Sequence, residues 1–92
     1  MFTDLGQVVV TRGIYEDMQQ HAQFSGEITA ALLRYQLEDW GDALPPEDAE
    51  LNDESIKEGG RILAAYNTSC GRIWIITEWD RSVTTVLYPD EY

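Results

Sequence analysis

Arg61-Ile-Leu-Ala-Ala-Tyr66, Arg72-Ile-Trp-Ile-Ile-Thr-Glu-Trp79 and Ser82-Val-Thr-Thr-Val-Leu-Tyr88 are three successive runs of β-branched and aromatic residues, and their reading decides the fold. The breaks between them, Asn67-Thr-Ser-Cys-Gly71 and Asp80-Arg81, are short and polar. A parallel crossover needs about a dozen residues or more, so each break permits only a hairpin. The last third of the chain is therefore expected to be an antiparallel meander.

Working outward, Gln7-Val-Val-Val-Thr11 is a further β-branched run, entered after Gly6, that suits a fourth strand. Thr11 stands at a helix N-cap position, and Ile14, Tyr15 and Met18 follow at helical spacing. Glu16 and Asp17 are read as first-turn acids of a helix running from Arg12 to about Gln20. Ser25-Gly26-Glu27 opens a second helix, Glu27 to Asp39. Ile28, Ala31, Leu32 and Tyr35 form its apolar stripe, broadened by Leu33, Leu37 and Trp40, with Gly41 as the residue that ends it. So wide an apolar face must be covered, and the meander is the surface that can cover it. Tyr35 and Trp40 are read as core packing in preference to a cofactor wall. Pro46 suits the first helical position of Glu47-Asp-Ala-Glu-Leu51, Asn52 the cap of a further turn, and Gly59-Gly60 its left-handed exit into the meander. The expected architecture is a single α+β domain spanning residues 1–92: an antiparallel sheet, made of the three-stranded meander and the N-terminal strand, with two or three helices on one face.

Seventeen acidic residues against six basic ones give the 92-residue chain a formal charge of −11. That balance repels phosphate backbones and anionic lipid, so direct nucleic-acid or membrane binding is disfavoured and a basic protein surface is the suited partner. With 43% hydrophobic residues, including three Trp and five Tyr, the chain is not a disordered acidic tail. The single Cys70 forms no internal disulfide, and no leader or long apolar run is present, so a cytoplasmic location is expected. No phosphate-binding glycine loop, nucleophile elbow or Cys/His cluster occurs. His21, without companions, reads as a surface or helix-end residue. Cys70 has only Arg72 nearby to activate it. Neither a metal nor a cofactor is expected, and nothing in the residues calls for catalysis.

The one biased segment is Glu38 to Glu58, with nine carboxylates against Lys57. Its spacing fits no EF-hand loop, and carboxylates on a solvated helix keep ordinary acidities. The candidate partner-binding face is Asp42, Glu47, Asp48, Glu50, Asp53 and Glu54. A second candidate is the hairpin tip, Glu78, Trp79, Asp80 and Arg81. One reading has Asp80 capping its own turn while Arg81 pairs with Glu78 or another carboxylate. The other makes Trp79 an exposed anchor and Arg81 a bidentate donor to a partner.

Asp39-Trp-Gly-Asp42, Glu58-Gly-Gly-Arg-Ile-Leu-Ala-Ala-Tyr66, Ile73-Trp-Ile-Ile-Thr-Glu78, Asp80-Arg-Ser-Val-Thr-Thr85 and Leu87-Tyr-Pro-Asp-Glu-Tyr92 together resemble a widespread family of short bacterial proteins. These occur on chromosomes, plasmids and phages and are sometimes labelled type I restriction modification subunits or plasmid-related proteins. The resemblance extends from Val8 onward. It implies an association with mobile elements but no chemistry: the cofactor turn and Asn-Pro-Pro motif that a methyltransferase acting on a flipped adenine requires are missing. The expected function is a non-enzymatic acidic protein-binding module, an anti-CRISPR or anti-restriction nucleic-acid mimic that blocks a basic nucleic-acid-binding surface. One alternative is a structural or regulatory protein that homodimerises through its sheet edge, its charge serving solubility. Another is a small-ligand-binding protein or enzyme with a pocket between the second helix and the sheet.

Overall fold

The structure, a computed structural model, describes residues 1–92 and is an α+β fold of three α-helices and a four-stranded sheet. In chain order the elements are β1 (Gln7–Val10), α1 (Arg12–Gln20), α2 (Ala22–Gln36), α3 (Pro46–Glu58), β2 (Ile62–Thr68), β3 (Gly71–Thr77) and β4 (Val83–Leu87), followed by a 3₁₀ turn at Pro89–Glu91. The meander forms as expected: β2 pairs antiparallel with β3, and β3 with β4.

The sheet is mixed, not wholly antiparallel. β1 lies beside β4 and parallel to it, in the order β1-β4-β3-β2. Hairpin geometry constrains only neighbours in sequence, and three helices separate β1 from the meander. Parallel pairing brings the end of β1 to the same side of the sheet as the end of β4. There Glu91 accepts hydrogen bonds from Thr11 Oγ1 (2.6 Å) and the Gly13 N–H (3.0 Å), at the N-terminus of α1. Thr11 makes no side-chain cap and the first turn of α1 holds no acidic residue, contrary to the expectation placed on Glu16 and Asp17. The carboxylate that this helix end favours arrives from the far end of the chain.

α2 begins at Ala22, five residues before the expected start, with His21 as the residue between it and α1. Ser25 and Gly26 lie inside its first turns. The helix ends at Gln36, and its left-handed exit is taken by Glu38 (φ 63°) instead of Gly41. Gly41 (φ 93°) has another use: a Cβ there would stand 1.9 Å from the Ala65 carbonyl oxygen. Phe24, Ile28, Ala31 and Tyr35 are the buried stripe, whereas Leu33 and Leu37 are exposed and do not widen it.

The core lies between the helices and one face of the sheet, where Ile62, Ala64, Tyr66, Ile73, Ile75 and Val86 meet the α2 stripe, Ile14 and Trp40. Phe2 joins Tyr35 and Trp40 in edge-on aromatic contacts, with centroids 5.3–6.5 Å apart. Tyr35 bonds Thr77 (2.7 Å), which bonds Thr84 (2.8 Å), which donates to the Leu5 carbonyl (2.6 Å), so the buried hydroxyls satisfy one another.

The outer edge of β2 is sealed. Asn52, expected as a cap, instead sits buried in the middle of α3 and brackets Leu63: its Nδ2 donates to the Leu63 carbonyl (2.6 Å) and its Oδ1 accepts from the Leu63 N–H (3.0 Å). The Ala65 N–H donates to the Trp40 carbonyl (3.1 Å). No second chain can add a strand there without displacing these groups.

Candidate protein-binding face

α3 starts at Pro46, as expected, and ends at the left-handed Gly59 (φ 84°). Ala49, Asn52 and Ile56 point to the sheet, at the three- and four-residue spacing of one helix face. The opposite face therefore carries Glu47, Glu50, Glu54 and Glu58, all exposed, with exposed Leu51 among them. The row offers roughly one negative charge per helical turn, about every 5 Å. A DNA strand carries one per about 3.4 Å of axis. None of these four carboxylates is within ion-pair reach of an Arg or Lys, because the chain's ion pairs lie elsewhere: Arg12 with Glu16, and Arg34 with Asp39 and Asp42.

The expected face is thus redistributed. Asp48 is half-buried at the flank of the row. Asp53 Oδ1 accepts from Trp40 Nε1 (3.3 Å), which ties it to the core. Asp42 lies outside α3 in the preceding loop, 3.9 Å from Arg34. Glu58, absent from the expected set, completes the row.

At the hairpin tip, Trp79 is 68% exposed. Asp80 caps its own turn, accepting from Ser82 Oγ (2.6 Å) and the Ser82 N–H (3.1 Å), and these bonds hold its carboxyl below the ordinary range. Glu78 is half-buried. Arg81 pairs with no carboxylate of the chain. At φ 61° its side chain turns inward, and the guanidinium donates to the carbonyls of Ser55 (2.9 Å), Gly60 (2.6 Å) and Glu78 (3.1 Å) while lying 5.5 Å from the centre of the Phe2 ring. Ser55 and Gly60 frame the C-terminal end of α3, the negative end of its dipole. Arg81 therefore clamps the tip against the acidic helix, so that Glu54, Glu58, Trp79 and Asp80 belong to one end of the molecule. Its role was not legible from residue types, because a guanidinium that bonds only to carbonyls leaves no charge partner in the sequence.

Where a pocket is expected between α2 and the sheet, the structure has a cleft of about 150 Å³ lined by Glu27, Ala30, Ala31 and Arg34 of α2 and Tyr66, Asn67 and Thr68 of β2, smaller than the ~300 Å³ and more of a typical ligand site. The largest cavity, about 550 Å³, lies at the α1–α2 junction and is lined by Asp17, His21, Ala22, Gln23, Ser69 and Cys70. It is an open polar cleft. No group of three or more His, Cys, Asp or Glu is placed to hold a metal ion, and no helix is long and apolar enough to cross a membrane. Compared with known protein families, curated proteins and solved structures, the chain matches none of them.

Proposed function

We propose that this chain is a non-enzymatic acidic binding module whose α3 face occupies a basic, nucleic-acid-binding surface of a protein partner, its carboxylates standing in for phosphates. The observation that carries the reading is the row Glu47, Glu50, Glu54 and Glu58, held on a helix that Asn52 anchors at its middle and Arg81 at its C-terminal end, with Lys57 its one cation and no carboxylate of the row in an ion pair. A protein with few cations could have spent them on its densest negative cluster. This one spends Arg81 on positioning and Arg34 on Asp39. Exposed Leu51 and Trp79 add apolar anchors beside the charges, which suits a protein groove better than a diffuse counterion cloud.

The resemblance to proteins of plasmids and phages directs the search for the partner to host defence complexes, CRISPR and restriction assemblies, whose Lys/Arg-lined channels bind nucleic acid. The test is affinity capture from the native host, followed by competition with duplex DNA. Capture of a nucleic-acid-binding complex that DNA displaces supports the proposal. Capture that DNA leaves untouched removes it.

A further inference from the structure

We propose that the outer face of the sheet is a self-association surface, covered in solution by the same face of a second copy. A sheet with one face toward water alternates apolar and polar residues, whereas strands apolar on both sides belong to sheets covered on both sides. Here the middle of the sheet is apolar on both, with Gln7, Asn67 and Arg72 only toward the strand ends. The pairing register aligns Leu63, Ile76, Thr85 and Val9 in one row across the face away from the helices, and Ala65, Trp74 and Leu87 in the next. No helix covers them. Ala65, Ile76 and Leu87 are buried beneath their neighbours and Tyr92, which lies edge-on to Trp74 at 5.9 Å and is held by Arg61, whereas Leu63, Trp74, Thr85 and Val9 remain half-exposed.

Charge selects the occupant. Two copies of a −11 chain repel each other across most approaches, but this face is rimmed by Arg61 and Arg72 against Glu78 and Glu91, two of each sign. It is the surface on which two copies meet without opposing their acidic helices, and a two-fold axis can set arginine against glutamate. Association through β2 is closed, because Asn52 and Trp40 occupy that edge. Four strands at about 4.8 Å and about five residues at about 3.3 Å give a footprint of roughly 300–400 Å² per copy before the rim is counted. Over both copies that is roughly 600–800 Å², the size of a weak, transient contact and not of an obligate dimer.

The test is sedimentation velocity on the full chain from about 5 to about 500 μM, the range a small interface calls for. The expected result is a monomer–dimer equilibrium that Thr85→Arg and Val83→Lys each abolish with unchanged far-UV circular dichroism, and that Glu47→Lys/Glu54→Lys leaves intact. Should Thr85→Arg fail to fold, Val83→Lys, two residues before Thr85 in β4 and therefore on the same face, decides alone. A wild-type monomer throughout, or a dimer retained in the folded variants, overturns the inference.

Discussion

Replacing Arg81 by Ala removes three hydrogen bonds from a half-buried guanidinium to carbonyls and its contact with Phe2. Hydrogen bonds to charged groups contribute about 1.5–3 kcal/mol each, but these share one solvent-accessible group and do not add. A total of about 2–4 kcal/mol is a large part of the ~5–15 kcal/mol expected for a domain of this size. At about 4–8 °C per kcal/mol, Tm should fall by about 10–25 °C. The backbone supplies an internal control: at φ 61° glycine is unstrained, so Arg81→Gly should be more stable than Arg81→Ala by about 1 kcal/mol. Lysine, a single point of charge, should recover part of the loss. Differential scanning calorimetry reads all three variants, and hydrogen exchange at Gly59 and Gly60 reports release of the α3 end. An Arg81→Ala protein melting within about 3 °C of wild type, or one more stable than Arg81→Gly, would refute the clamp.

Three other outcomes follow from the same contacts. Glu54 stands four residues from both Glu50 and Glu58, so Glu54→Lys turns two repulsions into attractions and should raise stability by about 0.5–1.5 kcal/mol, read by urea denaturation; a loss of stability would show that the row is not mutually repulsive. Asn52→Ala leaves the Leu63 N–H and C=O unpaired at the β2 edge and should cost about 2–4 kcal/mol with increased aggregation, checked by the urea midpoint and light scattering. Burial pushes the Tyr35, Tyr66 and Tyr88 phenols above their ordinary range. The neutral forms are therefore favoured by folding: the stability they contribute is complete below about pH 10, the unfolded value, and is lost as pH rises through the folded values. In a Tyr15→Phe/Tyr92→Phe background, absorbance at 295 nm should rise only together with loss of far-UV dichroism; tyrosinate formation in the folded protein would contradict this.

The meander was legible because its turns are too short for anything but hairpins, α1 because Ile14, Tyr15 and Met18 recur at helical spacing, and the ends of α3 because Pro46 opens it and Gly59 closes it. The direction of β1 was not, since its partner β4 lies more than seventy residues away and no turn links the two. α2 was misplaced at both ends: Ser25 and Gly26 look like a start but lie within the helix, and Glu38 takes a left-handed conformation that Gly41 seemed made for. Asn52 could have been found, because a polar residue at the core-facing spacing of Ala49 and Ile56 must meet buried backbone. Of the acidic candidates, Glu47, Asp48, Glu50, Asp53 and Glu54 lie on α3 and Asp42 in the loop before it. Composition says that α3 is acidic, whereas only the helix phase tells that Glu58 joins the row and that Asp53 turns to Trp40.

The most direct measurement of the central claim is the affinity of the captured partner for the wild-type chain and for Glu47→Lys/Glu50→Lys/Glu54→Lys, each titrated against salt by calorimetry. The account predicts wild-type affinity that falls steeply with salt, and a folded triple variant weaker by at least about tenfold with a flatter dependence. Equal affinities with equal salt slopes would contradict it, and would place the binding surface away from α3.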